Sequence, residues 1–103
     1  MRDLPIPFRL KEARLRSGLT QELLGIKAGI DEYSASARMN QYEKGVHIPN
    51  FELLERCATI LDVPVEYFYT RSDENAKLLL KFHRMTDKQK IDFLEHIKNR
   101  YES

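Results

Sequence analysis

Apolar residues in this chain recur three and four positions apart, and no stretch alternates with the two-residue period of a half-buried strand. The pattern predicts an all-α chain of five or more helices. After a lead-in containing Pro5 and Pro7, "FRLKEARLRSG" places Leu10, Ala13 and Arg14 on one face and ends at Gly18, which suits a left-handed C-terminal cap. Thr20 caps a second helix, "QELLGIKA", with Leu23, Leu24 and Ala28 expected inward, Glu22 in the electropositive first turn and Gly29 turning the chain. A third helix is expected from about Ser34 to Glu43, burying Met39 and Tyr42 and presenting Arg38, Asn40, Gln41 and Lys44 outward, with Gly45 at its end. The loop "VHIPN" leads to Asn50 as a cap and to "FELLERCATILD", where Leu53, Leu54, Cys57, Ala58 and Leu61 form one broad apolar stripe. Pro64 then starts a short turn of helix, "VEYFY", whose aromatics are expected to close the core.

From Thr70 the character changes. "TRSDEN" reads as a polar joint, followed by two helices, "AKLLLKFHRM" and "TDKQKIDFLEHIKNRY", the second opened by a capping box of Thr86 and Gln89. Residues 1–69 are thus expected to form one unit and residues 70–103 a C-terminal helical hairpin. Leu78, Leu79, Phe82, Ile91, Phe93, Leu94, Ile97 and Tyr101 carry more apolar surface than a two-helix hairpin can hide within itself. Either the hairpin folds back on its own core, or it meets a second copy; the second is the expectation. Burying ~400 Å² per chain would contribute ~10 kcal/mol by area, before the cost of association.

Composition narrows the function classes. At 103 residues the chain holds one modest core. The lone Cys57 excludes an intrachain disulfide, and its place on an apolar stripe marks a core residue rather than a nucleophile. His47, His83 and His96 are scattered, so no metal site is expected. No apolar run approaches the ~18 residues of a membrane span, and the N-terminus lacks the apolar segment of a secretory signal, which points to the cytoplasm. Net charge is +1, with eight basic against six acidic residues in 1–50 and nine against ten in 51–103. Any phosphate-binding surface must therefore be local. No nucleophile–base pair, phosphate loop or carboxylate constellation is present, so neither an enzyme nor a cofactor is expected, and no small-molecule domain is evident.

Residues 10 to 69, through "LKEARLRSGLTQELLGIKAG", "MNQYEKG" and "IPNFELLERCATILDVPVEYFY", resemble the Cro/cI-type helix-turn-helix regulators, the XRE family. The resemblance implies a five-helix lambda-repressor-like DNA-binding domain, double-stranded DNA as partner, a homodimer on a palindromic operator, and transcription regulation, with repression as the expected sense. It implies a recognition helix near residues 34–43. Small residues at its start, Ser34, Ala35, Ser36 and Ala37, would let the backbone approach DNA, and a projecting helix fits a major groove ~12 Å wide. Gln21 is implied as a phosphate contact, and Ser36, Ala37 and Gln41 as base-facing positions with Arg38 between them. Arg38, Asn40 and Gln41 are side chains able to read guanine or adenine edges. Lys44 either meets a phosphate or is simply solvated. Arg14 and Glu43 are implied to pair across the domain.

One departure stands out: from Gly29 to Glu43 the chain has four residues more than the family's spacing, within "DEYSAS". They form either a loop carrying Asp31, Glu32 and Tyr33, the preferred reading, or an extra turn of recognition helix. The two carboxylates are expected to point aside, pair with a base such as Lys27, or accept from cytosine N4. A different class of function also fits the near-neutral charge: a helical protein-interaction module that has lost DNA binding.

Overall fold

A computed structural model describes residues 4–102, and among them the chain is helical throughout, without strands. Six α-helices follow in order: α1 (Ile6–Arg16), α2 (Gln21–Lys27), α3 (Ala35–Glu43), α4 (Phe51–Leu61), α5 (Asp73–His83) and α6 (Asp87–Tyr101). A 3-10 turn, Val65–Tyr69, lies between α4 and α5 where a fifth helix was expected, and its Tyr67 and Phe68 are buried while Tyr69 is exposed.

Local chemistry accounts for most boundaries. The hydroxyl of Thr20 accepts from the Leu23 N–H, the Asn50 amide oxygen from Leu53, and the Ser72 hydroxyl from Asn75. Thr86 and Gln89 close a reciprocal capping box at the head of α6. Gly18, at φ +73°, follows α1 in the left-handed conformation that a side chain resists. The helix α1 begins one residue before Pro7 rather than after it, because a proline in the first turn gives up only a donor that has no helical partner.

The core gathers Leu10 and Ala13 of α1, Leu24 of α2, Ala35, Met39 and Tyr42 of α3, the full stripe of α4, and Tyr67 and Phe68. Ala28 and Ile30, which flank Gly29, are buried with them. Leu23, expected inside, is 41% exposed: at seven residues α2 is short, and Leu24 with Ala28 covers its inner face.

The tail divides in two. The first turns of α5 pack on the core through Ala76 and partly buried Leu80. No residue of α6 is buried, and the molecule extends 54 Å along its longest axis against 30 and 21 Å across. Phe82 and Phe93, with ring centroids 5.9 Å apart, hold α5 and α6 together near their junction.

Candidate nucleic-acid interface

Helix α3 is built from its buried side outward. Ala35, Met39 and Tyr42 recur at helical spacing and enter the core. Ala37, Asn40, Gln41 and Lys44 therefore fall on the opposite side, where Ala37, Gln41 and Lys44 are exposed and Asn40 is half-buried; Ser36 and Arg38 are exposed on the two flanks. Ser34 precedes the helix as its cap residue, half-buried and without a side-chain capping bond. Ala35 faces the interior, so its small side chain serves the crossing of α2 and α3 rather than an outer surface. A Cβ added to Gly25 of α2 would lie 2.9 Å from the Ala35 Cβ and 3.1 Å from the Ala35 carbonyl oxygen. The two helices are in contact there, and the pair Gly25–Ala35 sets how closely they cross.

Residues 28–34 form a loop between α2 and α3, and Ala35 and Ser36 of the "DEYSAS" segment belong to the helix. The Ser34 N–H donates to the Asp31 carbonyl at 2.9 Å, and the Asp31 carboxylate accepts from the Tyr33 N–H at 3.0 Å. Asp31 thus turns onto its own chain instead of pairing with Lys27. The loop leaves Tyr33 91% exposed beside the N-terminal end of α3. Nothing in the local pattern marked that phenol, beyond its place in the expected loop.

A polar network ties the outer face to the interior. Arg14 of α1 donates from Nε to Glu43 Oε2 at 2.6 Å and from Nη2 to Oε1 at 3.0 Å, a two-pronged contact between side chains 9% and 2% exposed. Its Nη1 donates to the Leu19 carbonyl at 2.9 Å. Glu43 Oε1 also accepts from Gln21 Nε2 at 3.0 Å, and the same nitrogen reaches Asn40 Oδ1 at 3.3 Å. Both donors of the Gln21 amide are therefore engaged within the protein. On the other flank Arg38 donates from Nη2 to the Tyr42 hydroxyl at 2.7 Å, its guanidinium carbon 5.7 Å from the ring centre.

A second buried arginine was not singled out from the sequence. Arg9, 2% exposed, has its guanidinium carbon 4.5 and 5.5 Å from the ring centres of Phe8 and Tyr67. It donates to the carbonyls of Thr70 (2.8 Å) and Arg71 (3.0 Å) and to the carboxylates of Asp73 (2.9 Å) and Glu12 (3.1 Å). Burial works against its charge, and the hydrogen bonds it donates to Asp73 and Glu12 more than restore it, so its pKa is raised. Glu12 also accepts from the Tyr67 hydroxyl. The cluster binds the start of α5 to α1.

Of the tail residues expected to meet a second copy, Leu78, Ile91, Leu94 and Tyr101 are exposed. Leu79, Phe82, Phe93 and Ile97 are half-buried.

A short helix, a turn and a second helix locked into a core on one side and polar on the other define the helix-turn-helix class. No protein-family model matches the chain, and no curated protein matches it. Among solved structures it is similar to the crystal structure of the transcriptional regulator BswR, at 45% identity over 91% of this chain and 93% of that one, with a TM-score of 0.86. The chain belongs to the family of that transcriptional regulator. It also shares its fold with a chain of the SinR protein/SinI protein complex, at 24% identity, 95% and 99% coverage, and a TM-score of 0.66.

Proposed function

We propose that this protein is a sequence-specific DNA-binding transcriptional regulator of the Cro/cI type, acting as a repressor and binding a palindromic operator as a homodimer in the cytoplasm. The observation that carries the proposal is the outer face of α3. Ala37, Asn40, Gln41 and Lys44 project from a helix whose inner face is fixed in the core, with Ser36 and Arg38 at their sides. Such a helix enters the major groove and reads base edges, and the small side chains of Ser36 and Ala37 permit close approach.

The roles divide by what each side chain has free. Arg38 and Gln41 are the principal base readers. Asn40, with its oxygen engaged by Gln21, supports the face and offers its own amide N–H groups. Gln21 meets a phosphate through the backbone N–H at the start of α2, because its side-chain donors are held by Glu43 and Asn40. Lys44 meets the phosphates at the far end of α3. Residues 70–103 supply the contact between copies, with Leu78, Ile91, Leu94 and Tyr101 at its centre.

Arg38→Ala and Gln41→Ala should each weaken binding to a site selected from random DNA by ~1–3 kcal/mol, with little change in the dependence on salt. Lys44→Ala should weaken all sequences alike and reduce that dependence. If both Arg38→Ala and Gln41→Ala bind the selected site as the parent does while melting normally, α3 is not the reading helix. The outcome would then favour an interaction module without DNA binding.

A further inference from the structure

We infer that Tyr42 is a positioning residue for base recognition: its hydroxyl holds the guanidinium of Arg38 in the orientation that reads the operator. The inference rests on the proposal that α3 reads DNA. Tyr42 is 6% exposed and its ring is packed in the core, so the ring is a fixed body. Arg38 is exposed and one helical turn earlier, and a free arginine there would sample many rotamers. The 2.7 Å hydrogen bond from Nη2 to the Tyr42 hydroxyl, with the guanidinium 5.7 Å from the ring centre, favours one orientation among them.

The bond leaves the fork usable. A guanidinium carries five N–H donors, and a bidentate contact to guanine O6 and N7 requires two. One donor is spent on Tyr42. An acceptor from the interior therefore aims the group without exhausting it, and the ordering cost of Arg38 is met in the free protein rather than at binding. Phenylalanine at 42 would preserve the core and remove only this acceptor. Tyr42 is the side chain to which the Arg38 guanidinium donates.

The test compares the parent, Tyr42→Phe, Arg38→Ala and the double variant on a selected site and on that site with each base pair changed in turn, with melting curves for all four. Arg38→Ala identifies the base pair that Arg38 reads. Tyr42→Phe should lower discrimination at that same base pair about three- to tenfold, the scale of one immobilised side chain, with the salt dependence and melting temperature of the parent. In the Arg38→Ala background the Tyr42→Phe change should have no further effect. Undiminished discrimination in Tyr42→Phe overturns the inference, as does an equal loss with and without Arg38, which would mark a packing role. If Arg38→Ala itself reads no base pair, the assignment of Arg38 as a reader fails first, and a separate loss in Gln41→Ala would still support α3 as the DNA helix.

Discussion

Arg9 and Arg14 both lie on α1, both are buried, and they serve different partners. Arg14 orients Glu43, which in turn holds Gln21, so a buried charge pair fixes the side chains at the rim of the outer face. Removing one partner leaves the other ionised without compensation. Glu43→Gln should therefore lower stability by ~3–5 kcal/mol, measured by urea unfolding; a variant with the parent's midpoint but altered base preference would instead place Glu43 among the readers. Arg14 was implied by the family resemblance. Arg9 was open to inspection in another way: it stands three residues after Ile6 and four before Ala13, on the face that α1 buries. An arginine on an apolar face signals a partner, but its partners at Thr70, Arg71 and Asp73 lie more than sixty residues away and local pattern cannot name them. Cys57 was legible from the α4 stripe, and burial pushes its thiol up to about 11, so it stays protonated at neutral pH.

Where elements meet, space matters as much as polarity. Alanine is favoured over glycine inside a helix by ~1 kcal/mol, yet at Gly25 the added methyl would meet Ala35 and Met39 at 3.0 Å or less. Gly25→Ala should consequently destabilise the fold by ~1–3 kcal/mol, read as a lower urea midpoint; a gain in stability would mean that α2 and α3 can separate freely. The glycine was visible in "QELLGIKA", but its reason was not, because the crossing depends on Ala35 beyond a loop. That loop itself was favoured from the four added residues. Its shape turns on one Asx contact at Asp31, a choice among several partners that charge alone leaves open. Helix caps, by contrast, act within three residues, which is why Thr20, Asn50 and the Thr86–Gln89 box could be read directly.

Across the whole molecule, α5 is held at both ends. Arg9 grips its start, and beyond its end Arg84 donates to the Asp62 carbonyl at 2.9 and 3.2 Å while His83 Nε2 lies 3.3 Å from the Asp62 carboxylate. The position from which α6 departs is thereby fixed relative to α3. Hydrophobic pattern predicted an apolar tail and favoured contact with a second copy over folding back; α5 folds back through Ala76 and Leu80, while no residue of α6 is buried. Ile91 and Leu94, 60% and 54% exposed, are therefore the positions at which a second copy can be tested without disturbing the core. Ile91→Glu with Leu94→Glu should convert a micromolar dimer to a monomer in sedimentation, with the helical content retained. A parent that is already monomeric, or a double variant that remains dimeric, would exclude this surface as the contact. The most direct measurement of the central claim is selection of sequences bound by the full chain from random DNA at a fixed salt concentration. The proposal predicts enrichment of two halves related by two-fold symmetry, with centres about one or more turns of ~34–36 Å apart; a bound pool with no enriched sequence would contradict it.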